Sequence, residues 1–160
     1  MSLHLRPATA NDTALVLGFI RELAEYEKLS DDCVATEENL ERHLFGEHPK
    51  AEVVLAEWDG EAVGFALFFH NFSTFLGKPG IYLEDLYVKP PFRGKGIGKS
   101  LIIHLARLAL LRGCGRLEWS VLDWNEPSIE FYKSLGAVPM SEWTGYRVSG
   151  EALDLLGNPG

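Results

Sequence analysis

The sequence has little cysteine and no run of apolar residues long enough to cross a membrane, and its bases are outnumbered by its acids. Cys33 and Cys114 are its only cysteines and lack C-x-x-C spacing, which argues against a disulfide framework and against a zinc site. The histidines, His4, His43, His48, His70 and His104, show no ligand pattern, so no metal is expected, and His104 is placed on the exposed side of its helix. No stretch approaches the roughly 18 apolar residues of a membrane span, and the opening Met1-Ser-Leu-His-Leu-Arg6 carries no long apolar run. A soluble, cytoplasmic protein with no membrane partner is expected. With 15 Lys and Arg against 23 Asp and Glu, the formal net charge is −8. That balance disfavours a nucleic-acid partner. It serves solubility, or it draws cations towards a cleft. No repeat, low-complexity segment or linker interrupts the 160 residues, which read as one domain, 1–160, burying roughly 70% of its unfolded surface.

What is present is a succession of strand and helix signals. Leu3 to Arg6 alternates and stops at Pro7. Thr9, with Asp12 three residues on, caps a helix with apolar positions Leu15, Phe19, Leu23 and Tyr26, and Tyr26-Glu27 end it. Thr36 caps a second helix over Glu37 to Phe45, ended by Gly46. Val53 to Trp58, the turn Asp59-Gly60, and Glu61 to Phe69 make a hairpin. The apolar run from Val63 to Phe69 predicts a strand covered on both faces. A loop over Asn71 to Gly80 precedes a strand, Ile81 to Val88. A helix from Gly98, with Gly113 as its C′ residue, leads to a strand over Arg116 to Leu122. Asn125 caps a short helix with Pro127 in its first turn. Ala137 to Val148 is expected to supply closing strands, with a loop over Met140 to Gly145 between them.

The stretch from Tyr82 to Arg112 organises the rest, because its turn Arg93-Gly94-Lys95-Gly96-Ile97-Gly98-Lys99-Ser100 opens a helix with glycines. Unsatisfied amides and the dipole at a helix N-terminus attract phosphate, and glycine lets it approach the backbone. The dinucleotide fingerprint G-x-G-x-x-G fails at Lys99. The P-loop fits Gly98-Lys99-Ser100 but needs a glycine where Arg93 stands.

The pattern Arg93-x-x-Gly96-x-Gly98, following the strand that ends at Val88, resembles the acyl-CoA turn of the GNAT N-acetyltransferases. Val121 to Gly136, with Asn125, Ser128 and Tyr132, resembles the second half of that cofactor site. More narrowly, Tyr82-Leu-Glu-Asp85, Arg93-Gly-x-Gly-Ile-Gly98, Trp124-Asn-Glu-Pro-Ser128, Arg6-Pro-Ala-Thr-Ala10 and Glu22-Leu-Ala-Glu-Tyr-Glu27 are similar to the diamine and polyamine (spermidine/spermine) acetyltransferase branch, which includes thialysine-type enzymes. The resemblance implies an α/β (α+β) GNAT fold, a mixed, mostly antiparallel sheet of about six to seven strands flanked by four helices. It implies transfer of acetyl from acetyl-CoA directly to a small cationic amine in a ternary complex, without metal, by a homodimer.

An amine with a pKa near 10.4 is neutral in only about one molecule in 2,500 at pH 7, which makes nucleophilic attack harder by roughly 4.6 kcal/mol. A general base lowers that barrier. Glu84 and Asp85 are adjacent in a strand expected to be central, where carboxylates are depleted, and alternation sends them to opposite faces. The resemblance gives Glu84 the roles of amine binder and proton acceptor through water, with Asp85 a second binder. It places Tyr26 and Glu27 on the amine wall; the alternative is that Tyr26 closes the apolar stripe and Glu27 is solvated. Leu86, Tyr87 and Val88 would offer backbone groups to pantetheine, with the Val88 N–H as oxyanion donor. Gly94, Lys95, Gly96, Ile97, Gly98 and Lys99 would wrap the pyrophosphate beside Arg93, and Asn125 and Ser128 would touch the cofactor, though Asn125 serves equally as a helix cap. Tyr132 would protonate the departing thiolate; spacing alone reads it as a packing aromatic.

Departures from the branch bear on substrate. Ser73 and Phe75 stand where polyamine enzymes tend to carry an acid and a tryptophan, and Thr144 where an acid is expected. Fewer carboxylates suit a lysine-like amino acid or small diamine as well as spermidine. The rival readings are a protein-lysine acetyltransferase of this fold, a non-catalytic acyl-CoA-binding module, and a small P-loop kinase.

Overall fold

The computed structural model describes residues 2–160. The chain divides into two compact units, Met1–Leu122 and Asp123–Gly160. The first holds a five-stranded sheet in the order β1 (Leu3–Pro7), β2 (Glu52–Trp58), β3 (Glu61–Ser73), β4 (Lys78–Val88), β5 (Leu117–Trp119). Neighbours are antiparallel except β4 and β5, which run parallel. A parallel pair needs a crossover, and α3 (Ile97–Leu111) supplies it.

Two helices precede β2. Thr9 and Asp12 form a reciprocal capping box over a short 3-10 turn that leads into α1 (Thr13–Tyr26), so the expected cap acts one turn before the α-helix. Thr36 caps α2 (Glu37–Phe45) by accepting from the Asn39 N–H at 3.1 Å. Val16, Phe19 and Leu23 of α1 and Leu44 of α2 pack on Val53, Leu55, Phe65, Leu67 and Tyr87 of the sheet. Side chains alternate across a strand, so Val54 and Ala66, also buried, face the other way. There α3 lies against β2, β3, β4 and β5 and buries Ile97, Leu101 and Leu105. Covering both faces explains the unbroken apolar run of β3, and each fully buried Leu or Phe contributes about 1.5–3 kcal/mol. His104, expected on the exposed side of α3, is half-buried.

The hairpin turn is as expected, with Asp59 and Gly60 at φ 51° and 87°, the left-handed pair that a two-residue hairpin requires. The expected loop over Asn71 to Gly80 is mostly strand. β3 runs on to Ser73 and β4 begins at Lys78, leaving a turn at 74–77. Its pairing register holds to the end, Phe72 opposite Pro79 and Ser73 opposite Lys78. Pro79 tolerates this place near the start of its strand.

The second unit departs most from expectation. α4 (Glu126–Ser134) forms as predicted, but 137–149 contains no strand, and a fifth helix, α5 (Gly150–Gly157), follows. Among the described residues the sheet therefore has five strands and not six or seven, and there are five α-helices where four were expected. Pro139 removes a ladder donor, and the alternation of Val138 and Met140 breaks at Ser141-Glu142, so the segment cannot sustain a two-residue period. β5 is also shorter than the expected Arg116 to Leu122.

Close approach of β4 requires glycine at position 64. A methyl at Gly64 of β3 would stand 2.6 Å from the Tyr87 carbonyl oxygen of β4, so the strands would have to part. Gly64→Ala is expected to lower stability by about 1–3 kcal/mol, read as a lower urea midpoint. An unchanged midpoint would show that β4 shifts without strain.

Candidate active site

β4 carries a bulge that sets the direction of its peptide groups. The Ile81 N–H donates to the Arg116 carbonyl at 3.0 Å, away from β3. Eight residues on, the Lys89 N–H donates to the Val63 carbonyl at 2.8 Å, towards β3. In an unbroken strand both would point the same way, because amide direction alternates as the side chains do. The register explains the change: Leu67 pairs with Asp85 and Phe68 with Leu83, so Glu84 is the extra residue. Counting back from Lys89, the N–H groups of Val88 and Leu86 point away from β3. The Tyr87 carbonyl, which faces Gly64, gives the same orientation for the Tyr87–Val88 peptide. On that open side β5 pairs only with Ile81, Tyr82 and Leu83. From Glu84 to Val88 the edge has no strand partner among the described residues. An open edge of this kind accepts an extended, amide-bearing chain.

Where β4 ends, a 3-10 turn at Pro90–Phe92 leads to the glycine turn. Gly94 and Gly96 have φ of 80° and 81°, and a methyl at either would meet nothing within 4 Å. Their conformation, not crowding, demands glycine. Gly96 is the N-cap of α3, and the Ser100 N–H already bonds the Gly96 carbonyl at 3.0 Å. The amides of Ile97, Gly98 and Lys99 lie ahead of that first intrahelical bond and are presented at the positive end of a fifteen-residue helix. Lys99 is exposed at this end, while the Lys95 ammonium lies 5.6 Å from the Trp58 ring. Arg93 is exposed but lies back on the protein: its Nε–H donates to the Val88 carbonyl at 2.8 Å, and its guanidinium lies over the Tyr26 and Tyr87 rings. A helix N-terminus for a pyrophosphate beside an open strand edge for a pantetheine arm is the donor set that acetyl-CoA requires, and these residues fit it.

The carboxylates come together. Alternation alone would separate Glu84 from Asp85, but with Glu84 at the bulge its charge acts on both Asp85 and Glu27, and the charge of Glu27 acts on Asp85. Asp85 is half-buried, and burial first, then Glu84 and Glu27, push its carboxyl up to about 7. Burial and Glu84 raise Glu27 as well. Asp85, Glu27 and Asp32 share a cleft with the apolar wall Ile20, Leu23 and Ala24. Such a cleft suits an alkylammonium, with methylenes on the wall and the cation at the acids. Sequence reasoning missed Asp32 and its neighbour Cys33, which also lines the cleft. They sit on a 3-10 turn and its C-cap, where no periodicity signals direction.

In the second unit, Asn125 is buried and its Oδ1 accepts from the Ser128 N–H at 3.4 Å, the cap expected of it. Tyr132 is half-buried on α4, its ring 5.6 Å from that of Phe131. Among the residues that departed from the polyamine branch, Ser73 is buried and Phe75 is fully exposed in the turn at 74–77.

Fold and site together are those of an acyltransferase that uses acyl-CoA. Residues 19–137 match the family described as Acetyltransferase (GNAT) family, and the chain belongs to that family as an N-acetyltransferase. A thialysine N-epsilon-acetyltransferase of Sus scrofa is 42% identical to it, over 95% of this chain and 95% of that protein. The L-ornithine N5-acetyltransferase NATA1 of Arabidopsis thaliana is 31% identical over 96% of this chain and 87% of that one. Among solved structures, an integron cassette protein from the mobile metagenome of V. cholerae superposes with a TM-score of 0.82 at 32% identity, covering 98% of each chain.

Proposed function

We propose that the chain transfers the acetyl group of acetyl-CoA directly to the side-chain amine of a small lysine-like amino acid, within a ternary complex. The observation that carries this reading is the bulge at Glu84, which leaves an open strand edge beside a cleft where Glu27 and Asp85 meet an apolar wall. The similarity to thialysine and ornithine acetyltransferases supports the choice of amine. A small diamine is the second candidate, favoured by the acids of the cleft. Acetyl-CoA would be held by the Leu86 and Val88 amides and the α3 N-terminus with Lys99, and supplies an activated acetyl thioester. Gly94 and Gly96 give the turn its shape, and for Asn125 and Ser128 the resemblance implies contact with the cofactor. Tyr26, Glu27 and Asp85 bind and orient the amine. Glu84, exposed at the bulge, takes the ammonium proton through water. The Val88 N–H stabilises developing negative charge on oxygen, and Tyr132 returns a proton to the leaving sulfur.

The 160 residues act as one catalytic domain, a reading supported by a family match that runs across both units. We further propose a cytoplasmic homodimer that needs no metal, nucleic acid or membrane. A net charge of −8 disfavours a nucleic-acid partner, and no described helix is long and apolar enough to cross a membrane. Sedimentation would read the dimer.

The decisive assay is release of CoA thiol with thialysine, lysine, ornithine, putrescine, spermidine and a lysine peptide. Turnover of a free amino acid supports the proposal. Turnover of the peptide alone would replace it with a protein-lysine acetyltransferase. Binding of acetyl-CoA with no turnover would make the chain a binding module.

The raised carboxyl of Asp85 gives a pH dependence. Below about pH 7 Asp85 keeps its proton, the cleft is less negative, and a cationic amine binds more weakly. The amine KM is expected to fall several-fold between pH 6 and pH 8, and Asp85→Asn should flatten that slope. Stability runs the other way. The folded pKa lies above the unfolded value, so the folded form binds more protons, and this group's contribution declines as pH rises from about 4 to about 7. Asp85→Asn is therefore expected to raise the unfolding temperature at pH 8 relative to wild type and not at pH 4.

A further inference from the structure

We propose that Arg93 is a positioning residue that ties the amine-binding side of the site to the acyl-binding side, a role that rests on the acetyltransferase reading. The first residue of the phosphate-turn motif, although exposed, makes its contacts within the protein. Its Nε–H donates to the Val88 carbonyl at 2.8 Å. Its guanidinium carbon lies 5.0 Å from the centre of the Tyr26 ring and 5.5 Å from that of Tyr87. Three elements converge on this one side chain: the last residue of α1, the end of β4, and the glycine turn.

Each contact has a consequence for the site. The Val88 carbonyl is the last acceptor on the open edge, and fixing it fixes the backbone at Val88, whose N–H opens to the same side. Tyr26 immediately precedes Glu27, so holding its ring holds the start of the acidic wall. Tyr87 is the anchor: it is buried in the core, and its hydroxyl donates to Glu22 Oε1 at 2.8 Å. Burial and then the Glu22 carboxylate push that phenol up to about 12, so it remains a donor throughout the working range. The guanidinium is thus braced on a fixed ring, and it carries that fixity to Tyr26 and Val88. A planar fork satisfies a carbonyl in its plane while its face lies on aromatic rings, a combination that a lysine ammonium or a glutamine amide cannot reproduce.

The test is Arg93→Gln, which keeps a donor for Val88 but removes the cation from the rings. A partly exposed cation–π contact corresponds to a factor of about two to five, and two rings share this one. The amine KM is expected to rise about five- to tenfold, with the acetyl-CoA KM and the calorimetric Kd for acetyl-CoA within threefold of wild type. On a Tyr26→Leu background the same substitution should change the amine KM less than twofold, because the contact is already gone. The proposal is overturned if Arg93→Gln weakens acetyl-CoA binding tenfold and spares the amine, which would make Arg93 a cofactor ligand only. It is also overturned if the effects of the two substitutions multiply independently. Failure of the wild-type protein to turn over any amine would instead reject the acetyltransferase reading. In that case acetyl-CoA titration and a urea-unfolding double-mutant cycle on Arg93 and Tyr26 still decide whether the brace exists.

Discussion

Tyr132→Phe is expected to lower kcat by about a hundredfold while leaving the calorimetric Kd for acetyl-CoA within about twofold. A positioned general acid contributes about 10²–10⁴ in rate, and the lower end applies here for a chemical reason. A thiol has a pKa near 8.5 and a phenol near 10, so a thiolate is already a tolerable leaving group at neutral pH. Tyr132 speeds its departure without being indispensable to it. The substitution deletes one oxygen from a half-buried ring that lies tilted against Phe131 and leaves that ring contact in place. Product inhibition by CoA gives a second readout, because a lost donor should weaken CoA binding slightly. Unchanged kcat would remove Tyr132 from the chemistry and return it to the packing role that helical spacing alone suggests.

What the sequence made legible follows from how local each signal is. The Asp59-Gly60 hairpin, the Thr36 cap and the glycines at 94 and 96 are governed by the backbone preferences of one or two residues, and each stands in the structure as expected. The family match spans residues 19–137, the glycine turn included. The bulge at Glu84 was not legible, because a two-residue period was assumed for a strand that contains an insertion relative to its partner. Its one trace is the pair of consecutive carboxylates in an otherwise apolar strand, a violation of strand preference that marks a functional site. Arg93 illustrates the opposite limit. Its motif position is a local signal, but its contacts with Tyr26 and Tyr87 join elements that no spacing rule relates. The strands expected over Ala137 to Val148 do not form, and 137–149 contains no strand.

The bulge also makes Glu84 the residue whose removal should have the most informative pH profile. Glu84→Gln is expected to reduce kcat on the order of a hundredfold at pH 7 and by less than about tenfold at pH 9. The fraction of neutral amine rises from about one in 2,500 at pH 7 to about one in 25 at pH 9, so the work asked of a base shrinks by the same hundredfold. The amine KM should move only about two- to threefold, because losing the Glu84 charge relieves its repulsion of Asp85, which then ionises more readily and keeps the cleft negative. Asp85→Asn separates the two carboxylates: it should raise the amine KM at pH 8 and leave the pH dependence of kcat in place. A loss in Glu84→Gln that is uniform across pH and confined to KM would make Glu84 a binding residue. The proton would then pass to Asp85, whose carboxyl, held up to about 7 by burial and by its neighbours, lies near the operating pH at which a general base is most effective.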